Sequence, residues 1–213
     1  MSPTLTAIVT AAGGVLAGLA AAAAVLWHQR QIVIRARYDA THDDTTGLPN
    51  RRALLTGLRR GLRDTGGAGL VLLDVDAFKT INDSYGHEAG NDVLAAVGHR
   101  LAALGAPVQL AARLSGDEFA LLVRGGTGEV AGAASAAWRA VTRDPIPVGQ
   151  DYLRVTASVG HATAGVGTST RELLHAADMA MYEAKHTRAG ICAATTWPVP
   201  RPRHTRYRDL PRH

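Results

Sequence analysis

Apolar and polar positions along the chain change period several times, and each change marks an element. Leu5 to Trp27 (LTAIVTAAGGVLAGLAAAAAVLW) carries no charge over 23 residues, a length that suits a membrane-crossing helix. HQRQIVIRARYDAT (28–41) reads as a short linker helix. LVLLDV (70–75) is a continuous apolar run of the kind a buried strand shows. From His87 to Leu104 the apolar positions Val93, Leu94, Val97, Leu101 and Leu104 recur at helical spacing. PVQLAARL (107–114) and EFALLVRG (118–125) flank Ser115 and Gly116 as the arms of a hairpin. The alanine-rich stretch 128–142 reads as a helix, 152–163 alternates like a strand, and 169–186 reads as a last helix.

The order β-α-β-β-α-β predicts an α+β domain, an α/β sandwich of split βαβ, palm-like type, with an antiparallel sheet and helices on one face. The expected organisation is a 1–4 tail, a transmembrane helix over 5–27, a linker over 28–41 and the domain over 42–192. A Pro/Arg-rich tail, 193–213, has too little apolar content to fold alone and is expected to be disordered.

Charge refines this picture. The net charge is +5, but its distribution is uneven. Residues 28–37 hold Arg30, Arg35 and Arg37 without an acid, and the tail holds five arginines against Asp209. Between 38 and 192 there are 15 basic and 17 acidic residues. The basicity thus lies in two short flanks and not on the domain, the nucleic-acid reading loses most of its support, and no nucleic-acid partner is expected. No Lys or Arg precedes the uncharged stretch, whereas three arginines follow it. The positive-inside rule puts the domain in the cytoplasm of a bacterial cell, on a single-pass protein of the cell membrane. A signal peptide would need a basic n-region, which is missing. The single cysteine, Cys192, excludes an intrachain disulfide and fits a reducing compartment.

Acidic residues cluster at strand ends: Asp74 and Asp76 close LVLLDVD, and Asp117 with Glu118 begins the second hairpin arm. In a split βαβ sheet the first strand and the hairpin lie side by side, which brings Asp74 and Asp117 together. Carboxylates that converge repel one another unless a cation lies between them. Mg²⁺ needs only one or two protein carboxylates and completes its shell with water and phosphate. The residues thus point to metal-dependent phosphoryl or nucleotidyl transfer. Lys79, after a turn whose N–H groups face a phosphate, and Lys185, in the last helix, fit the same chemistry. Taken singly, strand-end aspartates are solvated turn residues and Lys185 is a helix-end charge. Their occurrence on one rim carries the argument.

RLSGDEFALL (113–122), with TGLPNRRAL (46–54), DVDAFKTINDSYGHEAGNDVL (74–94), TASVGHA (156–162) and ADMAMYEAKH (177–186), resembles the GGDEF family of diguanylate cyclases. Five signatures in order make the resemblance specific. It implies that each subunit of a homodimer binds one GTP, and that each 3′-hydroxyl attacks the other nucleotide's α-phosphorus. The products are cyclic di-GMP and pyrophosphate, the former read by receptors the sequence does not name. The resemblance further implies Mg²⁺ (or Mn²⁺) held by Asp74, the Val75 carbonyl and Asp117, with Asp74, Asp117 and Glu118 as catalytic acids. Phe78 and Lys79 match its phosphate loop, Asn82 a guanine contact and Lys185 a phosphate contact. Gly116 admits the nucleotide to the backbone, and His87 and Asn91 fall in the substrate-binding signature. The alternative is an impaired member that binds nucleotide or dimerises without turnover.

Three positions depart from the family pattern. Ser115 stands for a glycine, a change activity is expected to survive. Asn91 stands where the family has an aspartate that accepts from the guanine N1–H and amino group. An asparagine has one acceptor and one donor group, so weaker guanine selectivity is expected. Ala106-Pro107-Val108-Gln109 replaces the family's Arg-x-x-Asp product-inhibition site, so inhibition there is expected to be absent.

Overall fold

The computed structural model describes residues 3–194, apart from the side chains of residues 4–17 and Arg37. It falls into two units, residues 1–42 and 43–213. The first holds one continuous helix, α1 (Pro3–Asp39). The ring of Tyr38, in its last turn, stacks on that of His42 just beyond it, with centroids 3.8 Å apart. The expected transmembrane helix is not supported: among the described residues no helix is long and apolar enough to cross a membrane. From Gly18 on, polar and charged positions such as Gln29, Arg30, Gln31 and Arg35 dilute the apolar content. The greater part of the predicted span falls on side chains outside the described residues, as does the predicted tail from residue 195 on.

The second unit is built on a five-stranded sheet in the order β2-β3-β1-β6-β7. Its strands are β1 (Ala68–Val75), β2 (Val108–Ser115), β3 (Glu118–Arg124), β6 (Ala157–Thr163) and β7 (Ile191–Ala193). Pairing is antiparallel except for β6 with β7. All eight residues of β1 are buried, because the strand is central and covered on both faces. The expectation of helices on one face is corrected. Val71, Leu73 and Val75 pack with residues of α3 (Phe78–Ala102) and α4 (Thr127–Thr142), such as Val97 and Ala137. Leu70 and Leu72 pack with Leu54 and Leu58 of α2 (Arg51–Gly61) and Leu173 and Ala177 of α5 (Thr170–Thr187). Successive strand residues point to opposite faces, so both need a cover.

Strand β7, helix α2 and a small hairpin were not expected. Helix α2 starts where Asn50 Oδ1 accepts from the N–H groups of Arg52 and Ala53 at 3.0 and 3.2 Å. A small hairpin, β4 (Ile146–Val148) with β5 (Asp151–Leu153), splits off the start of the predicted 152–163 strand. Helix α3 begins nine residues before the predicted one and is kinked at Gly86, whose φ of 88° is left-handed.

Candidate active site

Register sets the acids. In β1, Asp74 lies opposite Glu118 of β3 on one side and Ser158 of β6 on the other. The hairpin turn between β2 and β3 holds Gly116 at φ 52°. Asp117 follows it, and its carbonyl accepts from the Val75 N–H at 3.2 Å. Asp117 thus belongs to the turn, while Glu118 is the direct cross-strand neighbour of Asp74. Ser115 Oγ donates to Glu118 Oε2 at 3.3 Å. The hydroxyl at this departure from the family motif therefore contacts the acid beside it.

Lys185 of α5 reaches this end of the sheet, and its Nζ donates to Asp74 Oδ1 at 2.7 Å. Burial raises the Asp74 carboxyl above its ordinary value, the Lys185 hydrogen bond opposes that, and repulsion from Asp117 and Asp76 adds to it. The same bond to Asp74 raises the Lys185 ammonium, against a smaller effect of burial. Asp74 remains high despite its partner because desolvation and two like charges together outweigh one ammonium that is itself half exposed.

Asp74, Glu118, Asp178, Met179, Tyr182 and Lys185 line a cleft of about 380 Å³. A neighbouring cleft of about 260 Å³ shares Glu118, Asp178 and Met181 and extends to Arg51 and His175. Phe78, Lys79, Asn82, His87, Asn91 and Gly116 do not line either cleft. Five of these lie between Phe78 and Asn91 of α3, on either side of the kink at Gly86. A Cβ on Gly90 would run into Asn82 Oδ1 and come within 3.2 Å of Phe78 Cζ. The Asn82 amide therefore lies over Gly90, next in the chain to Asn91. Lys79, His87 and Asn91 are exposed.

Among the described residues, no three His, Cys, Asp or Glu side chains are grouped to hold a metal ion by themselves. The donor set nevertheless fits a hard divalent cation. Asp74 and Asp117 offer carboxylate oxygens, repel each other, and already draw one ammonium. Such an ion needs few protein ligands when phosphate oxygens and water supply the rest.

Sequence reasoning missed several residues here. Arg113 Nη1 donates to Asp43 Oδ1 at 2.9 Å, and its Nε and Nη2 donate to the Gly116 carbonyl at 3.0 and 2.8 Å. Ser158 Oγ donates to Asp76 Oδ1 at 2.7 Å. Asp178 and Tyr182 line the larger cleft one to two turns before Lys185. A charged residue directly before the turn (Arg113) was the available signal for the first contact.

The family profile described as diguanylate cyclase, GGDEF domain, matches residues 40–190, and the chain belongs to that family. It is 38% identical over 161 residues to the bifunctional diguanylate cyclase/cyclic di-GMP phosphodiesterase MucR of Pseudomonas aeruginosa, covering 72% of this chain and 23% of that one. It is 36% identical over 156 residues to the diguanylate cyclase DgcN of Escherichia coli, covering 70% of this chain and 38% of that one. The chain thus spans a minor part of these relatives. Among solved structures it is similar to the coiled coil and GGDEF domain of DgcB from Caulobacter crescentus in complex with c-di-GMP. That likeness has a TM-score of 0.76 at 29% identity and covers 84% of this chain and 98% of that one.

Proposed function

We propose that the domain is a diguanylate cyclase that condenses two GTP into cyclic di-GMP and two pyrophosphates across a homodimer. The observation that carries this reading is the gathering of Asp74, Glu118 and Lys185 on one cleft, with Asp117 in the adjoining turn. Family membership and relatives named as diguanylate cyclases support it.

Asp74 and Asp117 would hold Mg²⁺ or Mn²⁺, with the Val75 carbonyl as a further ligand. A bound divalent ion polarises the α-phosphate and offsets charge developing on the leaving pyrophosphate. Glu118, across the strand pair from Asp74, is placed to accept the proton of the attacking 3′-hydroxyl or to assist the cation. Lys185 exchanges its carboxylate partner for phosphate oxygens when nucleotide arrives. The N–H groups of Phe78 and Lys79, first in α3, precede the helix's own bonding and suit a phosphate. Asn82, whose amide lies over Gly90, and Asn91, the residue after it, suit the guanine edge. One copy holds one nucleotide, so a second copy must bring the other into line.

Incubation of the full-length chain with GTP and Mg²⁺ tests the reading through the appearance of cyclic di-GMP and pyrophosphate. Nucleotide binding without product would instead identify an impaired, binding-only member. Ala106 to Gln109 carries neither arginine nor carboxylate, and turnover is proposed to proceed without product inhibition at that stretch. Membrane attachment and a cytoplasmic domain are proposals resting on sequence alone, on the uncharged 5–27 stretch and the arginines after it. Recovery of the full chain in the soluble fraction of lysed cells would dismiss membrane attachment.

A further inference from the structure

We infer that Ser158 is a positioning residue for the nucleotide site: its hydroxyl fixes the Asp76 carboxylate, and through it the turn from Val75 to the start of α3. The inference rests on the cyclase reading, since that reading gives the turn its task.

Asp76 is held to the β6 side of the sheet twice. Its N–H donates to the Thr156 carbonyl at 3.0 Å, and its Oδ1 accepts from Ser158 Oγ at 2.7 Å. Ser158 is only 4% exposed and lies opposite Asp74 in the β1–β6 register. In an antiparallel pair such residues share a face, and the diagonal neighbour Asp76 falls within side-chain reach. A short O–H···carboxylate bond in this setting is charge-assisted and stronger than a neutral one.

The next residue explains what the clamp secures. Ala77 has φ 54° and ψ 27°, a left-handed conformation that costs a residue with a Cβ about 1–2 kcal/mol. Such a conformation persists only where its surroundings over-determine it. No side chain caps the start of α3. The bonds after the turn, Thr80 N–H and Ile81 N–H to the Ala77 carbonyl at 2.9 and 3.3 Å, belong to the helix itself. On its other flank the turn is fixed by Asp76. Left-handed Ala77 sets the direction in which α3 leaves β1, and hence where the Phe78 and Lys79 N–H groups point.

The clamp has a second consequence. Asp76 contributes to the charge felt by both Asp74 and Lys185. With Oδ1 engaged by Ser158, its carboxylate is kept from competing with Asp74 for Lys185 or for an incoming cation.

The test compares full-length wild type with Ser158→Ala, Asp76→Ala and the double variant. Each is measured for affinity to a GTP analogue with a non-cleavable α,β-methylene bridge, for kcat and for Tm. Loss of one charge-assisted bond predicts about tenfold weaker analogue binding and about tenfold lower kcat for Ser158→Ala. The double variant is expected to be no worse than Asp76→Ala, because the two residues act through one bond. Analogue affinity and kcat within about twofold of wild type, with only Tm lowered, would overturn the inference. Additive losses in the double variant would overturn it as well. Wild type that binds the analogue but forms no cyclic dinucleotide sinks the cyclase reading alone, and the binding comparison still decides the role of Ser158. Wild type that binds no analogue overturns both.

Discussion

The Arg113 guanidinium ties Asp43 to the hairpin tip: Nη1 lies 2.9 Å from Asp43 Oδ1, while Nε and Nη2 hold the Gly116 carbonyl. Asp43 also accepts from the Thr46 N–H and hydroxyl at 2.9 and 2.8 Å. One planar fork thus braces the turn that precedes Asp117 and Glu118 against the 43–50 loop. Lysine has no such fork. Arg113→Ala and Arg113→Lys are expected to lose roughly 1.5–3 kcal/mol of stability in urea unfolding. Turnover should fall in both, because the acids of the turn lose their brace.

The same contact fixes a pH dependence. Burial acts to raise the Asp43 carboxyl, but hydrogen bonds from Arg113 and Thr46 outweigh it and hold the group below its ordinary 3.8. A carboxyl lowered on folding contributes stability above its unfolded value and loses it as pH falls through the folded one. Wild type should therefore lose Tm below about pH 4. Arg113→Ala, whose Asp43 has lost its main partner, should show a shallower decline over the same window.

At Asp74 the sign is reversed. Burial lifts its carboxyl, Lys185 restrains that lift, and Asp117 and Asp76 reinforce it. A cation requires the ionised form, which is lost at higher pH than for an ordinary aspartate. Lys185→Met removes the restraint, so its Asp74 should protonate at higher pH still. Titrating Mn²⁺ into each protein over a pH series checks this: the acid-side loss of affinity should start at higher pH in Lys185→Met. An unchanged acid limb would mean that Asp74 is not the ligand.

Helix α5 carries Lys185 and sits tightly on β6. A Cβ at Gly160 would strike the main chain at the Ala177 carbonyl and the Met181 N–H. Backbone cannot rotate out of the way as a side chain does, so Gly160→Ala must lift the helix. A loss of roughly 1–3 kcal/mol is expected. Cyclase activity should fall further than stability alone explains, because Lys185 stands one turn beyond Met181.

The hairpin was legible in the sequence because both arms show apolar runs and the small pair between them marks the turn. Helix α4 was legible from its alanine content, and the stretch 169–186, read as a helix, is α5. Helix α2 was missed although its buried Leu54, Leu58 and Gly61 stand at helical spacing within 11 residues. The start of α3 was hidden by its polar composition and by Gly86. The contacts that brace the site join residues far apart in the chain: Arg113 to Asp43, Asp76 to Ser158, Asp74 to Lys185. No local pattern encodes such pairs. The third joins two residues expected on one rim, although Lys185 was expected to meet phosphate and not Asp74, and the first two have no counterpart among those expectations.

The contact of Asn82 with Gly90 makes nucleotide choice testable. The Asn82 amide lies over Gly90, one residue before Asn91, and an amide at 91 is a weaker guanine acceptor than a carboxylate. A carboxylate at 91 accepts from both the N1–H and the amino group of guanine, whereas Asn91 accepts through one oxygen and presents an NH₂ to the rest. Asn91→Asp should raise the ratio of kcat/KM for GTP over ATP by roughly ten- to a hundredfold, the value of one hydrogen bond to a charged group. Gly90→Ala should act in the opposite sense. The displaced atom is the end of a flexible side chain, so Asn82 yields and the fold survives, but the guanine edge loses its amide. Tm near wild type with a raised KM for GTP is the expected outcome. An unchanged GTP-to-ATP ratio in Asn91→Asp would mean that residue 91 does not read the base.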